Sequence, residues 1–246
     1  MSIFVLAFTS FGSWFISTLA GGGAPLILIP VIGSLLGSAA IPPVITIGML
    51  LGHCQRLFLY WRSVCWQLMW WYLPGAIFGA SLGAFVFTHA KLEWVSILLA
   101  LFLIISIASY TPKEEKPLFK VRHWYFLPAG FVFAFLSGLI GSTGPMLNPF
   151  YLNYGLNKEE TIATKSAHLL IVHIVKIIAY TKFGVLTLPY LGYGLLIGIA
   201  AFPGNWLGQI ALKQVSEQRF RQLLTSFVAL SGILILWQQR KFLTFW

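Results

Sequence analysis

Apolar runs, many close to twenty residues long, make up almost the whole chain, and short polar or glycine- and proline-rich stretches separate them. Such runs suit α-helices crossing a hydrocarbon core, which takes about 20 residues. The pattern predicts five apolar elements in each half. In the first half they cover about 2–20, 24–38, 41–61, 64–89 and 94–110, and in the second about 123–141, 144–156, 160–181, 185–210 and 220–239. The elements at 24–38 and 144–156 are too short to span as straight helices. Each belongs to a glycine-rich interruption, GGGAP at 21–25 and GSTGP at 141–145.

The halves overlay on each other. An offset of 120 residues brings Phe15, Ser17, Leu19, Gly21 and Pro25 onto Phe135, Ser137, Leu139, Gly141 and Pro145. The same offset brings Leu50, His53, Arg56, Tyr60 and Arg62 onto Leu170, His173, Lys176, Tyr180 and Lys182. Further along the offset is 125, and Gly79 and Gly83 meet Gly204 and Gly208. The predicted class is an all-α polytopic membrane protein with two homologous halves of about five helical elements each. It forms a single transmembrane domain over 1–246, with repeat one at about 3–110, a linker at 111–122 and repeat two at about 123–240. An odd number of crossings per half inverts the second repeat relative to the first, with half-helices at the midplane. Charge supports that choice. With all elements crossing and the linker cytoplasmic, ten cations fall inside and four outside; if the short elements turn back, the split is eight and six.

Composition narrows the solvent. Of 246 residues, 58% are hydrophobic and 9% charged, and the mean hydropathy is +0.84. Soluble domains carry roughly 25% charged residues, so lipid is the expected surroundings. The first cation is Arg56, so the N-terminal run lacks the basic flank of a cleaved signal and reads as a retained helix. The net charge of +10 is scattered between apolar runs, which fits membrane topology and not a nucleic-acid surface. Cys54 and Cys65 read as small apolar residues, with no metal site or disulfide expected. Trp61, Trp66, Trp70 and Trp71, with Tyr60 and Tyr72, read as an interfacial belt. Gly79, Gly83, Gly204 and Gly208 form small-xxx-small pairs, suited to contacts between the halves or between subunits of a homodimer.

The interruptions carry the candidate chemistry. Non-helical backbone at membrane depth is tolerated only where it is buried in protein or lines a cavity. Glycine permits the dihedrals, and a proline in the first turn starts the next half-helix without wasting a donor. The free N–H groups and the helix dipole then favour an anion. Gly21, Gly22, Gly23, Ala24 and Pro25 form one candidate half-site; Gly141, Ser142, Thr143, Gly144, Pro145 and Asn148 form the other. Arg56 and Lys176 are candidate steering cations, and His53 and His173, one turn before them, are candidates for carrying a proton. The chain has no Asp, and its six Glu residues lie in linkers or at element ends, which argues against a cation substrate. A haem held by His53 and His173 is a competing reading, as is a structural membrane protein without substrate.

The stretches LAGGGAPLILIP and LIGSTGPMLNPFYL, the polar third element after each, and the segments GASLGAF and GNWLGQI resemble the sulfite exporter TauE/SafE family. The resemblance covers about 8–110 and 126–239. It implies an inner-membrane secondary transporter, not an enzyme and without a cofactor, that exports small sulfur anions such as sulfite or organosulfonates. An anion channel is the near variant. The second interruption has one glycine fewer and more hydroxyls, so the half-sites are expected to bind unequally. We expect Gly23→Leu and Gly144→Leu each to abolish anion flux from liposomes while membrane insertion persists. Parental flux in both variants would remove the interruptions as the site.

Overall fold

The computed structural model describes residues 2–88, 120–143 and 146–238. The predicted element at 94–110, most of the linker, Gly144, Pro145 and the cations Lys91, Arg240 and Lys241 lie outside the described residues. Among the described residues the chain is all-helical. Its α-helices are α1 (Ser2–Leu19), α2 (Ala24–Leu36), α3 (Ile41–Tyr60), α4 (Trp66–Phe87), α5 (Phe126–Ile140), α6 (Asn148–Tyr154), α7 (Lys158–Lys182), α8 (Leu188–Leu212) and α9 (Glu217–Gln238). Four segments, Trp66–Phe87, His123–Ile140, Lys158–Lys182 and Leu188–Leu212, are long and apolar enough to cross a bilayer.

The short elements are real and unequal. The 13 residues of α2 rise about 20 Å, less than a hydrocarbon core of about 30 Å. Helix α6 has only 7 residues and starts at Asn148, later than the pattern of 144–156 predicts. Pro149 sets its first turn. Gly155, at φ 102°, ends it, with the Gly155 and Leu156 N–H groups donating back to the last turn. Helix α7 begins in a capping box, in which the Asn157 side chain accepts from the Glu160 N–H and Glu160 accepts from the Asn157 N–H.

Packing crosses between the halves. Helix α1 packs along α8, and α5 packs along α4, while α3 and α7 meet in the middle. One apolar cluster joins Trp14, Leu28, Val44 and Met49 to Ile197 and Ala201 of α8. The other joins Leu68, Phe126, Phe133, Tyr151 and Val172 around α4 to α7. Large side chains such as Phe4, Phe58, Phe78 and Ile199 point outward and are exposed, as a lipid-facing surface requires. Trp61, Trp66, Trp70 and Trp71 are exposed as a belt would be, but Tyr60 and Tyr72 are buried. Tyr72 stacks on His168 with ring centroids 4.0 Å apart.

The small-xxx-small pairs face the other half of the same chain. A Cβ on Gly79 or Gly83 would lie 2.1 Å from the carbonyl oxygen of Phe131 or Phe135 on α5. Gly204 and Gly208 meet α1 in the same way, against Phe11 and Thr18. In hydrocarbon, where lipid tails are as apolar as leucine, close backbone approach is a main source of helix adhesion. We expect Gly79→Ala or Gly83→Ala to cost about 1–3 kcal/mol by forced separation of α4 and α5. Gly192→Ala, with open space around its Cβ, serves as the control without loss. Thermal unfolding in detergent compares the three.

Candidate functional site

The first interruption needs its glycines. Gly21, Gly22 and Gly23 have φ of 65°, 138° and 103°, three successive residues in a region that side chains disfavour. Helix α1 ends there, and α2 starts at Ala24 with Pro25 in its first turn and no side-chain cap. In this first turn Pro25 carries no N–H, and the Leu26 N–H donates to the Gly23 carbonyl at 3.0 Å, with no side chain taking part. In the second interruption Gly141, at φ 93°, ends α5.

A small cavity lies at the first interruption, with room for about one water molecule. Gly22, Gly23, Ala24 and Pro25 form one wall. Trp14 and Ser17 of α1, Met49 and His53 of α3, and Lys165 and Leu169 of α7 form others, and Ser142 comes from the second interruption. The two interruptions are thus brought together. Several buried polar atoms here have no partner among the described residues: Trp14 Nε1, His53 Nδ1, Ser142 Oγ and the nearby Asn148 Nδ2. Unmatched polar atoms in a dry interior cost about 1–3 kcal/mol each, so the cluster is suited to a polar guest.

Lys165 is the cation of the site. Its Nζ donates to the Gly21 carbonyl and to Asn148 Oδ1, both at 2.7 Å. From the sequence it figured only among the ten cations counted on the inner side of the membrane. The missed signal is its register, since Lys165, His168, Leu169, His173 and Lys176 recur at helical spacing along α7. Trp14 and Ser17 were missed too, because an apolar helix gives no sign of which face meets a cavity.

The two expected cations are buried but stand away from the cavity wall. Arg56 Nε donates to Asn205 Oδ1 at 2.9 Å, and its Nη2 donates to Thr18 Oγ1 at 2.8 Å and to the Trp14 carbonyl at 3.2 Å. The guanidinium carbon lies 4.6 Å from the Trp14 ring centroid. Asn205 Nδ2 completes the network by donating to the Gly52 carbonyl and Gln55 Oε1. Lys176 Nζ donates to the Gly141 carbonyl at 2.5 Å and to Ser137 Oγ at 3.3 Å. Thr143 donates its hydroxyl proton to the Phe133 carbonyl at 3.1 Å, which leaves no proton for an oxyanion in this arrangement.

His53 and His173, equivalent under the offset, lie ring to ring across α3 and α7. Their centroids are 5.7 Å apart and their planes 13° from parallel. The small cavity that His53 lines does not include His173 and is far too small for a porphyrin in this conformation. Among the described residues no group of three His, Cys, Asp or Glu is placed to hold a metal ion.

Apolar helices of spanning length, interrupted at a small cavity lined by polar atoms unmatched among the described residues, define a polytopic membrane protein. The TauE/SafE family model matches residues 6–235, nearly the whole chain. The chain belongs to the sulfite exporter TauE/SafE family, a family of membrane transporters. Searches of the curated proteins and of the solved structures returned no significant match.

The Arg56 network reads as a fastening between α1, α3 and α8. We expect Asn205→Ala to cost about 1.5–3 kcal/mol, since it strips a charged donor of its acceptor. Thermal unfolding measures this; a loss below about 0.5 kcal/mol would mean the guanidinium finds other acceptors.

Proposed function

We propose that the chain is a secondary transporter of a small sulfur oxyanion, sulfite or an organosulfonate, in the inner membrane. The anion occupies the cavity at the first interruption. One observation carries this reading: the uncapped N-terminus of α2, the Lys165 Nζ and the unmatched Ser142 hydroxyl converge on one enclosed space. All three favour negative charge, and no carboxylate lines the space. His53 Nδ1 and Trp14 Nε1 supply further ring nitrogens, and Asn148 holds Lys165 in place. The cavity is smaller than the anion, so occupation requires the walls to separate, as alternating access does.

The exchanged packing of α1 with α8 and α5 with α4 supports two inverted repeats, each first helix lying along the fourth helix of the other half. Export is the direction that the family name carries.

Counterflow tests the proposal. Proteoliposomes loaded with sulfite and bearing the native chain should accumulate labelled sulfite by exchange. Lys165→Met should reduce that rate by at least about thirtyfold, since removing one partner of a buried charge pair costs roughly 2–5 kcal/mol. Ser142→Ala should reduce it less, by about three- to tenfold. Equal rates for Lys165→Met and the native chain would overturn the assignment of the site.

A further inference from the structure

Among the described residues the buried interior holds charge of one sign only. Arg56, Lys165 and Lys176 are all buried, and none of the described carboxylates, Glu159, Glu160 and Glu217, is. Arg56 keeps its proton under all ordinary conditions. A lysine can release its proton, and an isolated ammonium in a dry interior costs several kcal/mol.

The bonding of Lys165 suits both forms. A neutral amine has two N–H donors, and the structure offers two acceptors, the Gly21 carbonyl and Asn148 Oδ1. Lys165 lines a cavity that Ser142 also lines, with a hydroxyl unmatched among the described residues. Protonation adds a third N–H, which has no hydrogen-bonded acceptor among the described residues. Lys176 likewise has two acceptors, but it does not line the cavity. Lys165 is therefore the one titratable cation among the described residues that meets both the cavity and the interruption.

We infer that Lys165 takes up a proton as the anion binds, so that anion and proton cross the membrane together and one negative charge of the anion is offset. The inference rests on the transport reading above. On binding, a proton from the aqueous phase joins the Lys165 lone pair, and the new ammonium pairs with the anion. On release at the other face the anion leaves, and the ammonium returns its proton to water.

The surroundings bear on where that proton sits. Helix α3 presents His53 to the same cavity, and one turn further along it carries the like charge of Arg56. On α7 itself His168 lies one turn on, its Nδ1 hydrogen-bonded to the Tyr151 hydroxyl of α6 at 2.8 Å and its ring stacked on Tyr72 of α4. Helix α1 presents neutral Trp14 and Ser17, and the second interruption presents neutral Ser142. Helix α9 presents Phe220 and Leu224 beside Gly21. An anion is what lets the ammonium persist among these groups. Binding and protonation are then linked, each favouring the other.

Calorimetry of the purified full chain with sulfite and with methanesulfonate, in buffers of different ionisation heat, tests this. The native chain should take up about one proton per anion at alkaline pH, and its affinity should fall by up to about tenfold per pH unit there. Lys165→Arg, checked for folding by thermal unfolding, should bind without proton uptake and with little pH dependence. Anion binding by the native chain without uptake would overturn the inference and leave the transport reading standing. Uptake that persists in Lys165→Arg but vanishes in His53→Gln would place the proton on the imidazole and overturn it as well. If the native chain binds neither anion, the transport reading fails and the inference with it.

Discussion

A helix broken inside a bilayer exposes two opposite ends, and each must be satisfied without water. Helix α1 ends in carbonyls and α2 begins with N–H groups, only a few residues apart. The structure treats the two ends differently. The carbonyl end is capped by a buried lysine, with Lys165 donating to Gly21 and, at the second interruption, Lys176 donating to Gly141. Carbonyls at a helix C-terminus take such donors whether the amine is neutral or charged. The N–H end of α2 has no side-chain cap. The protein thus meets the negative pole of the break with its own side chain and spends none on the positive pole. The anion site proposed above rests on that asymmetry.

The same constraint explains why duplicated sequence yields unequal half-sites. Position 165 is Lys and its counterpart at 45 is Ile; position 14 is Trp and its counterpart at 134 is Ala. Ile45 packs against Gly141 much as Lys165 reaches Gly21, so the second interruption has an apolar neighbour where the first has a cation. Ser142 and Gly22 are equivalent under the offset, yet both line the one cavity. The second interruption contributes a hydroxyl to the site of the first.

Much of this was legible in the chain. Element positions follow the apolar runs to within a few residues for α1 to α4 and α7 to α9, because crossing length and hydropathy are properties of the local sequence. The interruptions were legible for the same reason, since three glycines before a proline leave few helical options. What sequence could not reveal is which faces meet. The glycine pairs fitted contacts between halves or between subunits, and only packing placed Gly79 against Phe131 and Gly204 against Phe11. Lys165 was misjudged because charge counting assigns a cation near a helix end to the aqueous rim, whereas α7 starts seven residues earlier and carries it inward. Tyr72 was misjudged for a related reason. Its tryptophan neighbours mark the interface, but its own face of α4 turns toward His168.

The division of labour between helices follows from these contacts. The glycine-lined pairs, α1 with α8 and α4 with α5, bring backbones into contact and leave no room to slide without strain. The centre is built differently. Helices α3 and α7 meet through the stacked rings of His53 and His173, with His53 Nδ1 and both nitrogens of His173 unmatched. A contact that forgoes hydrogen bonds at its own midpoint is held less firmly than the glycine seams on either side. If the cavity is to open around an anion, the separation costs least where α3 and α7 meet, and each glycine seam then moves as a unit carrying the first helix of one half with the fourth of the other.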